Sequence, residues 1–151
     1  MADLVVYINE KITLDNVDRG VLTTQTITNV NGVANRVLSC PTGSETFLFQ
    51  FRIDGGQSYA AFSTSSLKYG RLTNKSSNPV KLVIHTYDPI TSASGYVNQE
   101  ILSNSSYFLS SAKASGSLMA DTNFTYNQYV SALGVVPSGS AATIEYFIAT
   151  S

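Results

Sequence analysis

His85 is the only histidine in this chain of 151 residues, and Cys40 is the only cysteine. A Ser-His-Asp triad needs a histidine as its base, so His85 would have to serve. Serines are abundant, and one near His85 is expected by chance. No Gly-x-Ser-x-Gly elbow is present to expose a nucleophile. A Cys40–His85 pair is the other nucleophilic arrangement open to the chain. A lone histidine cannot build a multi-histidine metal site. His85 lies within a strand-like run and reads as a packed or surface strand residue. Cys40 precedes Pro41 at a strand end, where a free cysteine is ordinarily a small core residue. It can form no intrachain disulfide.

The ten acids are scattered: Asp3, Glu10, Asp15, Asp18, Glu45, Asp54, Asp88, Glu100, Asp121 and Glu145. Two carboxylates suffice for a glycosidase, so spacing alone does not remove that chemistry. Asp15-Asn16-Val17-Asp18 offers acids to calcium but lacks the other ligands and the glycine of an EF-hand loop; it reads as a solvated turn. Gly55-Gly56 has no Lys-Ser/Thr after it and is no phosphate loop. The sequons at Asn74, Asn104 and Asn123 are expected by chance where Ser, Thr and Asn make up close to a third of the residues. The expectation is a non-enzymatic protein with no catalytic residue, metal or cofactor.

These residues must be positioned by strands. Leu4 to Ile8 is the first, with a continuation to Leu14 open. Asp15-Asn16 and Arg19-Gly20 punctuate. Val21 to Val30 is rich in threonine, which suits a pleated surface. Asn31-Gly32 then precedes Val33 to Ser39. Asn-Gly between two β runs predicts a type I′ hairpin. In Glu45 to Ile53, period-2 alternation puts Phe47, Phe49 and Phe51 on one face, predicted to be core. Gln57 to Phe62 and Leu67 to Thr73 follow. In Val80 to Tyr87, Val80, Leu82 and Ile84 face one side, and Lys81, Val83, His85 and Tyr87 the other. Asp88-Pro89 ends that run, because proline lacks the ladder donor. Tyr96 to Leu102, Ser106 to Ser111 and Thr143 to Ala149 are further strands. Residues 121–134 fit a strand or a short capped helix, and strand is preferred.

The pattern predicts an all-β chain of eight to ten short antiparallel strands in one domain, 1–151, as a sandwich or barrel. A composition 43% hydrophobic and 11% aromatic supports a core and argues against disorder. The formal charge of −1 and dispersed Lys and Arg argue against a nucleic-acid partner. Near-neutrality also leaves little self-repulsion to hold copies apart. No run approaches the ~18 apolar residues of a membrane helix, and no signal-peptide pattern opens the chain. Folding in a reducing cytoplasm without a membrane partner is expected. Both termini read as strand, held in a sheet or clamped by neighbouring copies.

The strand-like opening Met1-Ala2-Asp3-Leu4-Val5-Val6, the ending Ala142-Thr143-Ile144-Glu145-Tyr146-Phe147-Ile148 and Ser/Thr/Asn-rich turns such as 74–80 resemble small β-rich structural proteins of virus particles, such as those of tailed phages. That resemblance implies a jelly-roll-like sandwich located in the virion as a capsid, decoration (cement) or tail-associated subunit. It implies a homo-oligomer with itself and other virion proteins as partners. Exposed tyrosines suit such interfaces, with an apolar ring and a polar tip; Tyr96, Tyr107, Tyr126 and Tyr129 are the candidates. A glycan-binding β-sandwich is the alternative. Aromatic stacking on sugar rings would serve it, although the chain has no tryptophan.

Overall fold

The computed structural model describes residues 2–53, 61–114 and 128–151. The strands in chain order are β1 (Ala2–Glu10), β2 (Thr13–Leu14), β3 (Val17–Asp18), β4 (Val21–Val30), β5 (Gly32–Cys40), β6 (Thr46–Arg52), β7 (Phe62–Ser63), β8 (Leu67–Asn74), β9 (Val80–Asp88), β10 (Ala93–Ile101), β11 (Ser106–Leu109), β12 (Lys113–Ala114), β13 (Gln128–Pro137) and β14 (Ala142–Thr150). One sheet runs β11-β8-β14-β5, and its partner runs β10-β9-β13-β6-β7 with β12 alongside β13. The eight main strands of the body, from β5 to β14, divide into two four-stranded layers, with β9 and β10 a consecutive pair in one of them. Numbered along the body, the layers read 6-3-8-1 and 5-4-7-2, the double Greek key of a jelly roll. The chain is an all-β sandwich with this topology. Among the described residues all pairings are antiparallel except the short β6–β7 contact, which is parallel.

Period-2 alternation builds the core between the layers. Leu72, Ile144, Tyr146 and Ile148 face Leu82, Leu133, Val135, Phe49 and Phe51, all buried. Phe49 packs edge-on against Phe51 at 5.2 Å and against Tyr146 at 5.6 Å, geometry that aromatic quadrupoles favour. Cys40 is a fully buried member of this core. Asn74 is its polar exception. Its side-chain amide donates to the carbonyls of Asn78, Ile101 and Leu102, and its Oδ1 accepts from the Ser76 amide. One buried side chain thus satisfies backbone groups of the β8–β9 loop and the β10–β11 crossover, as burial requires. This also places Asn74, the first sequon, out of solvent.

Two bulges alter the simple alternation. In β6, Phe49 pairs with Leu133 but Phe47 pairs with the very next residue, Gly134. Leu48 is the extra residue and turns inward with Phe49. Phe47 is therefore not core with Phe49 and Phe51, as period 2 alone predicts. It lies on the outer face, 49% exposed. In β13, the step from Val130 to Ala132 against adjacent Thr86 and His85 marks a second bulge, at Ser131. It sends Val130 inward and Ala132 outward.

The Asn31-Gly32 expectation is also corrected. β4 pairs with β1, and β5 pairs with β14, so no hairpin joins the runs on either side of Asn31. Neither Asn31 nor Gly32 has positive φ. The chain runs on from one strand into the next, with the Asn31 amide donating to Thr150 O at 2.8 Å. Glycine fits at 32 because a Cβ there would stand 2.8 Å from the Thr150 hydroxyl. The two-residue turn with both φ values positive is Asp15-Asn16, between β2 and β3. That is type I′ geometry.

Residues 121–127 and Gln57 to Ala60 lie outside the described residues; from Gln128 onward the ambiguous stretch is strand. Among the described residues, no helix is long and apolar enough to cross a membrane.

Candidate functional site

Three surfaces stand apart from the core. The first is the ribbon of β1 and β4, tipped by β2–β3. Leu4 to Ile8 is apolar at every position, the pattern of a strand buried on both faces. The fold leaves Val5, Tyr7 and Leu22 exposed on one face and half-buries Leu4, Val6 and Ile27 on the other. Leu4, Val6, Ile8 and Ile27 share one side of the ribbon by register, and Val5, Tyr7 and Leu22 share the other. Tyr7 is 69% and Leu22 65% exposed, and Ile12, Leu14 and Val17 at the tip are exposed as well. At the ribbon's base Asn29 takes φ 62°, where Thr28-Asn29 opposes Asp3 as a bulge. Bulges bend and twist a strand, and this one sets the ribbon's departure from the body.

The outer face of the β11-β8-β14-β5 sheet carries a second uncovered apolar area. Tyr69 lies 6.4 Å from Phe108 and 6.2 Å from Phe147, ring to ring. Val33 and Val37 on the edge strand β5 extend it and are exposed. Glu145 accepts a 2.6 Å bond from Arg71, with the Lys75 ammonium 3.8 Å away. Burial raises the Tyr69 hydroxyl's pKa, against a smaller downward pull from Arg71.

The third surface is a groove on the outer face of the other sheet, about 280 Å³ in volume, lined by Glu45, Lys81, Val83, His85, Tyr96, Asn98 and Val136. His85 Nε2 and Glu45 Oε1 lie 2.6 Å apart in a hydrogen bond. Phe47, turned out by the Leu48 bulge, packs on the imidazole at 5.3 Å. Glu45 reaches His85 across Gly134, where any Cβ would collide with the carboxylate. Tyr96 is directly opposite His85 on the neighbouring strand, and Asn98 is opposite Val83.

Of the four tyrosines singled out from sequence, the structure describes three, on three different strands. Tyr96 stands 68% exposed in this groove. Tyr107 packs against the core from β11, and burial raises its hydroxyl pKa. Tyr129 lies on β13 opposite Tyr87. Tyr126 lies outside the described residues. Cys40 and His85 belong to different regions, one in the core and one on the outer face. Burial pushes the Cys40 thiol pKa up, against a smaller downward pull from its bond with Thr46. Asp18 turns its carboxylate to the Gly20 amide at 2.9 Å, which closes the turn locally. Among the described residues no group of three or more His, Cys, Asp or Glu side chains could hold a metal.

Sequence reasoning did not pair Glu45 with His85, because forty residues separate them and a bulge brings them together. The ribbon did have a signal, the unbroken apolar run at Leu4 to Ile8. Comparison with family models, curated proteins and solved structures finds no match to this chain.

Proposed function

We propose that this chain is a non-enzymatic structural subunit of a virus particle, as capsid, decoration or tail-associated protein, and that it works by packing on copies of itself. The observation that carries the reading is the ribbon. A two-stranded ribbon is marginally stable alone in water. This one carries exposed apolar residues on both faces, Val5, Tyr7 and Leu22 on one and Ile8 and Val21 on the other. Exposed apolar surface of this kind marks an association site.

The occupant we assign to it is a second copy, on the outer face of its β11-β8-β14-β5 sheet. That face has its own apolar area, with Phe108, Val33 and Val37 exposed and Tyr69 and Phe147 half-buried beside them. The charges are complementary. Residues 2–30 carry Asp3, Glu10, Asp15 and Asp18 against Lys11 and Arg19, a net of −2. The receiving face carries Arg71 and Lys75 against Glu145, a net of +1. A ribbon-to-face contact joins unlike surfaces, and such heterologous contacts close as rings or continue as filaments. The jelly roll adds analogy only, since it hosts capsid and lectin domains alike.

The test is sedimentation from the native source. Co-migration with a large particle in fixed ratio is the expected result. A free monomer there would overturn the reading.

A further inference from the structure

From the groove on the outer face of the β10-β9-β13-β6 sheet we infer that the chain binds a neutral oligosaccharide there, with Tyr96 as its stacking platform. The groove is not isolated. A second hollow of about 320 Å³, lined by Pro79, Lys81, Asn98, Gln99, Glu100 and Ser138 among others, shares Lys81 and Asn98 with it. Together they form one trough along β9 and β10. From Tyr96 to Glu100 it runs about 14 Å at about 3.4 Å per residue. An open trough of that length suits a chain-like ligand lying along the surface.

Its chemistry matches a sugar more closely than other polymers. A pyranose ring has an apolar face and a rim of hydroxyls. Tyr96 supplies a flat, exposed aromatic surface for the first. Asn98 and Ser138 supply neutral groups that both donate and accept for the second. Lys81 donates, and Glu45 and Glu100 accept. Carboxylates at both ends of the trough repel a phosphate backbone or an acidic glycan, so the ligand carries no net charge. The floor is built with the two bulges. One turns Phe47 onto the His85 ring, and the other places Ala132 and Gly134 outward, leaving the gap through which Glu45 is fixed to His85. Bulges commonly re-aim side chains beside a site in this way. A held imidazole and carboxylate are prearranged groups, which lowers the ordering cost of binding.

The test applies the full chain to an array of printed neutral, sialylated and sulfated oligosaccharides, followed by calorimetry with any glycan retained. The expected result is retention of one or more neutral oligosaccharides. Tyr96→Ala and Asn98→Ala should each weaken binding at least tenfold, while Thr143→Ala, on the opposite sheet, leaves it unchanged. All three positions are exposed, so the variants should fold; circular dichroism verifies this. No retention of any glycan, retention of acidic glycans alone, or binding indifferent to Tyr96 and Asn98 would each overturn the inference. These outcomes do not depend on self-association through the ribbon, which uses other strands.

Discussion

The sandwich body and the ribbon are made from the same kinds of residue, yet they use them differently. In β14, Ile144, Tyr146 and Ile148 are buried and Thr143 and Glu145 turn outward. Alternation holds there from Ala142 to Ile148 because one face packs on the core, and it ends at Ala149, which is buried as well. In β1, Leu4 and Val6 are half-buried while Val5, Tyr7 and Ile8 stay exposed, so neither face is fully covered. The body closes a core within one chain; the ribbon's exposed apolar residues are what the proposed contact with a second copy would cover. The comparison teaches that an apolar run carries two pieces of information. It gives the strand, and through the count of apolar faces it gives how many layers should cover it.

The comparison breaks most sharply at a core position. Leu72→Ala removes a fully buried side chain and should cost about 2–5 kcal/mol, read as a fall in the urea midpoint at unchanged slope. Leu22→Ala in the ribbon, the same chemical change at an exposed site, should leave that midpoint within about 0.5 kcal/mol. Asn74→Ala comes next. It leaves three carbonyls without their amide donor inside the body and should cost about 1–3 kcal/mol, with faster hydrogen exchange in the β10–β11 crossover. The smallest effect is at the β9–β10 turn. The amide of Ile90, then the hydroxyl and amide of Thr91, hold the Asp88 carboxyl below its usual range. A lowered folded pKa means stability that is present above about pH 4 and lost as pH falls through the folded value. Asp88→Asn should therefore flatten the acid side of a stability–pH curve between pH 5 and pH 3 and leave the rest of the curve's shape unchanged.

The strands of the body were legible because burial on one side writes period 2 into them. Val80, Leu82 and Ile84 and the closing Ile144, Tyr146 and Ile148 are oriented as their alternation indicates. Phe47 was misplaced because a bulge at Leu48 inserts one residue without any local marker. Asn31-Gly32 was misread because glycine there serves a close approach to Thr150, a residue more than a hundred positions away. Asp15-Asn16 was read as punctuation, and it is the type I′ turn. The groove was illegible for a related reason. Glu45, His85 and Tyr96 come from three segments and meet only through sheet register. Sequence reasoning sees spacing along a strand well, and pairing between strands poorly.

The central claim is that the ribbon is finished by another copy of this chain. Analytical ultracentrifugation of the full chain, beside a variant carrying Val5→Ser, Tyr7→Ser and Leu22→Ser, tests it most directly. The expected result is an oligomer for the natural sequence and a 16.2 kDa monomer for the variant, with the same thermal transition measured for the sandwich in both. A natural chain that sediments as a monomer, or a variant that keeps the same oligomer, would contradict the account.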